Sequence, residues 1–179
     1  TKTDLYLAPC IGDCKKWAIE LHEQYPEAVI YQINSGGKTA VNDYGDYSRY
    51  SGQLNATTSA SDVNEQYEKH KGEHQIFVST YYSAPILRDC KHIKWGLIVA
   101  DEADVTAGLE GKRDSWVLYD ENIEAECKLY TTATGKPTTG ENTISMSNRD
   151  LYGEQTILTD DEATKRGLMA EVENIIISI

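Results

Sequence analysis

Long apolar runs are missing from this sequence. None approaches the roughly 20 residues that a membrane-spanning helix needs, so no membrane segment is expected. Positive charge is scarce as well. Seventeen Lys and Arg stand against 29 Asp and Glu, a net charge of -12. A dedicated nucleic-acid-binding domain usually carries a basic footprint, and this chain has none overall. The deficit still allows a protein that holds a strand locally and takes positive charge from another domain. Excess acid also keeps a protein soluble. Cysteine is sparse. Of Cys10, Cys14, Cys90 and Cys127, only the first two are close. Zinc sites need two close pairs, or Cys with His at short spacing, and neither occurs. Free thiols in a reducing compartment are the simpler reading. The first seven residues lack the basic and apolar regions of a secretory leader. The expected location is the cytoplasm. No internal repeat is present.

What remains is ordinary for a globular domain. The 179 residues are 40% apolar and 26% charged, enough for one domain with its own core. Residues 5–8 read as a short strand stopped by Pro9. Residues 13–25 read as a helix, with Trp17, Ile19, Leu21 and Tyr25 mostly toward one side and Pro26 at its end. Residues 28–33 are a second strand, rich in β-branched and aromatic residues. Residues 34–61 are polar and rich in Gly, Ser and Asn, a long surface excursion with room for a hairpin. A helix over 62–71 is closed by Gly72. Strands are expected at 76–80, 95–100 and 128–132, with a short helix at 85–90 and a helical or linking stretch at 121–127. A loop spans 133–140, a helix 160–170 and a final apolar strand 174–179. Strands alternating with helices predict an α/β domain with a mainly parallel sheet flanked by helices.

The strongest local signal is residues 97–104, Leu-Ile-Val-Ala-Asp-Glu-Ala-Asp. Four apolar residues make a buried strand, and two carboxylates stand where it ends. Open α/β sheets bind their ligands at the carboxyl ends of strands. A carboxylate there can hold Mg²⁺, and its neighbour can orient or deprotonate a water. Other strand ends carry distinctive residues too: Pro9, then Ser79, Thr80 and Tyr81, then Thr132, Ala133 and Thr134. In a parallel sheet these positions all line one edge. Plain strand-end roles for the threonines, and a core role for Tyr81, fit the same residues.

With these motifs in order, the chain resembles the first RecA-like domain of a superfamily 2 helicase, on the restriction-enzyme and phage helicase side. Residues 5–17, Leu-Tyr-Leu-Ala-Pro-Cys-Ile-Gly-Asp-Cys-Lys-Lys-Trp, resemble motif Ia and its helix. Residues 77–83, Phe-Val-Ser-Thr-Tyr-Tyr-Ser, resemble the segment called Ib or Ic. Residues 99–104 resemble motif II, the Walker B or DEAD box, with a literal Asp-Glu-Ala-Asp. Residues 129–137, Leu-Tyr-Thr-Thr-Ala-Thr-Gly-Lys-Pro, resemble motif III. Residues 145–153 resemble the family's segment after motif III, and residues 162–179 its exit helix and strand. The resemblance implies a RecA-like P-loop NTPase fold and an ATP-dependent helicase or translocase using ATP and Mg²⁺. It implies that Asp101 holds Mg²⁺ through water and that Glu102 polarises the attacking water. It implies that Asp104, Thr132 and Thr134 couple nucleotide state to movement. Pro9, Lys15, Thr80 and Tyr81 would lie near a nucleic-acid backbone, DNA ahead of RNA. The partner would be a second RecA-like domain, and the location cytoplasmic or nucleoid-associated.

Several departures accompany the resemblance. The family's phosphate-binding loop, G-x-x-x-x-G-K-[ST], should precede motif Ia, and only four residues stand ahead of Leu5. Gly36-Gly37-Lys38-Thr39 is not that loop. Its first glycine would fall at Gln32, and no helix-like apolar spacing comes after Thr39. Motif Ia usually has a hydroxyl after its proline, where this chain has Cys10. Asp13 stands where an apolar residue is usual. The expectation is therefore one domain over 1–179, running from motif Ia to the exit strand, without the Walker A segment or domain 2. The chain alone would be inactive. Two other readings stay open: a catalytically inactive RecA-like binding or scaffold module, and an unrelated nucleotide-dependent α/β enzyme.

Overall fold

The computed structural model describes residues 2–36 and 56–167. Most of the 34–61 excursion, Gly37, Lys38 and Thr39 with it, lies outside the described residues. So do the end of the helix expected to run to residue 170 and the strand expected at 174–179.

The chain begins with β1 (Thr3–Ala8), α1 (Ile11–Gln24) and β2 (Val29–Ile33). Next are a two-residue β3 (Ala56–Thr57), α2 (Ala60–Lys69) and β4 (Gln75–Thr80). Then come β5 (Trp95–Ala100), β6 (Gly108–Leu109), β7 (Ala125–Tyr130) and β8 (Thr143–Ile144). Two short helices, α3 (Arg149–Tyr152) and α4 (Asp160–Lys165), complete the described chain. Short 3-10 helices lie at Ala84–Asp89, Ala103–Thr106 and Arg113–Leu118.

Six strands form one sheet in the order β3-β2-β4-β1-β5-β7, and every neighbouring pair is parallel. The α/β fold with a mainly parallel sheet, expected from the alternation, is the one observed. β6 and β8 form a small antiparallel ribbon beside it.

Pleating assigns the core. Leu5, Leu7 and Phe77 face one side, with Val63 of α2 and residues of the 3-10 helices. Ala8, Ile76, Val78 and Ile30 face the other, against Cys14, Ala18 and Leu21 of α1. Connection handedness explains the division. Parallel crossovers are right-handed, so the direction of travel across the sheet selects the face. The β1-to-β2 step moves one way and puts α1 on one face. The steps from β3 to β4, β4 to β5 and β5 to β7 move the other way, and their helices cover the opposite face.

Several local expectations are corrected. The buried stripe of α1 is Cys14, Ala18 and Leu21, joined by Ile19; Tyr25 is the exposed C-cap. Cys and Ala carry a weak apolar signal, yet small side chains let a helix lie close to a sheet. The helix also starts two residues early. The Cys10 sulfur caps it by accepting the Asp13 N–H at 3.4 Å, and the thiol donates to Asp13 Oδ2 at 2.9 Å. The two residues that depart from motif Ia therefore serve each other. β7 begins at Ala125, inside the stretch expected to be helical or linking, and ends at Tyr130. Its register against β5 pairs Trp95 with Ala125 and Val99 with Leu129. Among the described residues β7 is an edge strand, with Glu126 and Cys127 exposed, so burial imposes no clean pattern on it.

Burial pushes the Cys14 thiol up to about 12, Cys90 to about 11 and Tyr31 to about 12. It raises the Tyr81 and Tyr130 hydroxyls as well. Each folded value lies above the unfolded one, 9.0 for thiols and 10.0 for tyrosines. The folded chain therefore holds more protons at alkaline pH. These groups leave stability intact below about pH 9 and erode it as pH rises toward 12. The thermal midpoint should fall steadily from pH 8.5 to about 11. A flat profile over that range would contradict the burial of these groups.

Candidate functional site

β1 is the strand at which the connections part. The chain leaves β1 toward the α1 face, while its neighbours β4 and β5 exit toward the other. Such a switch point opens a crevice at the carboxyl ends of the strands. The register pairs Ala8 with Thr80, Leu7 with Ala100, and Ala100 with Tyr130. Pro9, Thr80, Asp101 and the 131–134 segment therefore share one edge of the sheet, as expected for a single site. An unrelated arrangement with these ends dispersed is excluded.

Asp101 sits in the crevice, half-buried, and four elements hold it. Its N–H donates to Leu7 O at the end of β1, 3.0 Å. The Trp17 indole N–H of α1 donates to Oδ2 at 3.2 Å. The Thr131 hydroxyl, just past β7, donates to Oδ1 at 3.0 Å. The Tyr81 hydroxyl, just past β4, donates to its carbonyl oxygen at 2.8 Å. The Tyr81 hydroxyl stays protonated because burial, then the Asp101 charge, raises its pKa. Trp17 and Thr131 were not among the expected site residues. An indole one helix away gives no sequence cue, and Thr131 stood in a run of threonines from which its neighbours were chosen.

Glu102 is placed differently. It is exposed, with φ 50 and ψ 48, a left-handed backbone that a non-glycine residue adopts at a cost of about 1–2 kcal/mol. Among the described residues its carboxylate has no hydrogen-bond or ion-pair partner. Strained backbone of this kind clusters at functional sites. The turn is pinned on both sides: Ala103 N donates to Thr131 O at 2.8 Å, and Val105 N to the Glu102 carbonyl at 3.1 Å.

Asp104 and the threonines form the next ring. Thr132 Oγ1 lies 3.1 Å from Asp104 Oδ1 and accepts the Thr134 N–H at 3.1 Å. This links the end of β7 to the 3-10 helix just after Glu102. Thr106 in that helix shares a 2.7 Å hydrogen bond with the Tyr152 hydroxyl, so the 145–153 segment packs against it.

The expected nucleic-acid contacts divide. Pro9 is exposed and Lys15 partly so. Thr80 and Tyr81 are 5% and 2% exposed. The Thr80 hydroxyl oxygen accepts the Ser83 N–H at 3.2 Å, and Tyr81 is committed to Asp101. Both side chains are thus held within the strand end.

Among the described residues no group of three or more His, Cys, Asp or Glu is placed to hold a metal. Asp101 alone still suits a metal held through water. Each of its oxygens accepts one hydrogen bond and keeps a further lone pair. Mg²⁺ retains waters and takes one or two carboxylates plus substrate phosphates. No helix of the described residues is long and apolar enough to cross a membrane.

No family model matches the chain, and no curated protein does. A solved structure does. It is a nuclease-deletion mutant of the Type ISP restriction-modification enzyme LlaGI, in complex with a DNA substrate mimic. The chain shares the fold of part of that enzyme, an α/β domain built on a parallel sheet. The TM-score is 0.73 at 20% identity, over 93% of this chain and 16% of that one. At that identity the likeness concerns the fold. The chain spans about a sixth of the length of its neighbour, so the activity of the whole enzyme is not carried over.

Proposed function

We propose that this domain is the metal- and water-holding part of an ATP-dependent nucleic-acid helicase or translocase. The observation behind the proposal is the pairing at the switch point. Asp101 is immobilised by Trp17, Thr131 and Tyr81, while Glu102 beside it is exposed and unpartnered among the described residues. Phosphoryl transfer asks mainly for positioning and charge neutralisation. A fixed acid suits a Mg²⁺ bound through water, which would neutralise phosphate charge. A free acid suits orientation of the attacking water and acceptance of its proton. Asp104, Thr132 and Thr134 tie that centre to β7 and would pass the nucleotide state onward.

The proposal places the rest of the ATP site elsewhere. The described residues supply no phosphate-gripping loop. A second RecA-like domain would add arginines. β7 has no partner on its outer edge among the described residues, and Leu129 on it is 49% exposed. An unpaired edge of this kind offers backbone groups to a further strand. Pro9 and Lys15 remain the expected backbone contacts for DNA.

The test is ATP hydrolysis by the full-length protein, with and without DNA. Hydrolysis stimulated by DNA is expected, and no appreciable turnover from the 179-residue chain alone. DNA binding with no hydrolysis under any condition would overturn the proposal in favour of an inactive scaffold.

A further inference from the structure

Thr80 and Tyr81 are inside the protein, but the next residue is not. Tyr82 is 67% exposed, the most exposed aromatic side chain among the described residues. The Arg113 guanidinium lies over one face of its ring, 3.9 Å from the centroid, and Arg113 Nε donates to the Tyr82 carbonyl at 2.7 Å. One face of the ring is thus fixed by a cation and the other is open. Among the described residues, the terminal nitrogens of Arg113 have no hydrogen-bond partner.

Arg113 also borders a groove of about 380 Å³ between the 3-10 helices at Ala84–Asp89 and Arg113–Leu118. Arg88, Lys112 and Trp116 line it too, and no carboxylate does. In a chain of net charge -12 this is an unusual concentration of positive charge. Glu110 and Glu121 lie near Tyr119, another residue of the lining. Lys112 has a second role. Its ammonium donates to Val105 O at 2.8 Å and Ala107 O at 3.3 Å, on and just past the helix after Glu102.

We infer that Tyr82, Arg113 and Arg88 form a seat for a single-stranded nucleic acid, with Lys112 as a positioning residue linking it to the Asp101-Glu102 turn. The inference deepens the proposed function and rests on its nucleic-acid partner. A base stacks on the open face of Tyr82, and flanking phosphates meet the two guanidiniums. Stacking on aromatic rings beside a cationic track is how unpaired strands are held without sequence preference. A duplex hides its base faces and gains only the charge term. The seat lies one residue beyond the pair expected from the motif, because β4 ends with Thr80 and Tyr81 turned inward.

Fluorescence anisotropy with labelled oligothymidine, using the full chain, tests this. Arg88→Glu with Arg113→Glu should weaken binding at least about tenfold and flatten the salt dependence. Tyr82→Ala should weaken single-strand binding with the salt slope unchanged, and affect duplex binding less. An oligonucleotide carrying 5-iododeoxyuridine should photocross-link the unmodified chain at Tyr82, a readout free of any folding defect in the variants. Equal affinity for chain and variants, or cross-links confined to other segments, would overturn the seat and leave the nucleic-acid reading standing. No binding by the chain, with hydrolysis by the full-length protein still stimulated by DNA, would do the same. Preference for an acidic peptide over oligothymidine would make the groove a protein-docking site and overturn the inference.

Discussion

Replacing Glu102 with Gln is expected to reduce DNA-stimulated ATP turnover of the full-length protein by at least about 100-fold, while nucleotide affinity stays within about twofold. Removing a positioned general base usually costs about 10²–10⁴ in rate. Gln keeps the size of Glu and can still orient a water, but it cannot take the proton. The variant is a clean one for a structural reason. The Glu102 carboxylate is exposed and makes no contact to lose among the described residues. Its left-handed backbone is equally strained with Gln. Stability should therefore move by no more than about 0.5 kcal/mol. Lost activity could not be blamed on unfolding. Asp101 offers no such clean variant, because its carboxylate holds Trp17 and Thr131 in place. Steady-state hydrolysis and nucleotide titration together decide the matter. Unchanged turnover would remove Glu102 from the chemistry.

Phe77→Ala should lower stability by about 3–5 kcal/mol, the usual loss when a large buried aromatic leaves a cavity. Phe77 is fully buried on β4, third strand of six in the sheet. Its ring stacks on Tyr31 at 5.5 Å and meets Trp95 edge-on at 5.5 Å. It thereby joins β2, β4 and β5 on one face. It is the only phenylalanine in the chain, and a single-domain stability of about 5–15 kcal/mol leaves little margin for its loss. Urea unfolding monitored by tryptophan fluorescence measures the change. Leu129→Ala is the control, since Leu129 is 49% exposed on the outer edge of β7 and should cost about 1 kcal/mol or less. A loss below about 1 kcal/mol for Phe77→Ala would mean that this face is not the stabilising core.

Elements covered on both sides were legible in the sequence. β5 came out with its observed ends, because residues buried on both faces form an unbroken apolar run. The ends of β1 and β4 were also close, since Pro9 and the polar residues after Thr80 punctuate them. β7 was misplaced by three residues at its start. A strand with one side open among the described residues need not alternate, and Glu126 and Cys127 meet solvent. The 3-10 helices at Ala103–Thr106 and Arg113–Leu118 and the β6-β8 ribbon were not foreseen at all. Segments of two to six residues are too short to show a period.

The same division runs through the site. The sequence alone placed Asp101 and Glu102 at a strand end and put Pro9, Thr80 and Thr132 on the same edge. Parallel strands with right-handed connections leave little other choice. It could not tell which neighbours would close around them. That Trp17 and Thr131 hold Asp101, that Tyr81 turns inward and that Tyr82 turns out against Arg113 were decided by tertiary packing. These pairs lie between 20 and 84 residues apart in the chain. Local pattern reports the face a residue prefers. Only the completed sheet brings distant side chains within hydrogen-bonding range and fixes which of them meet.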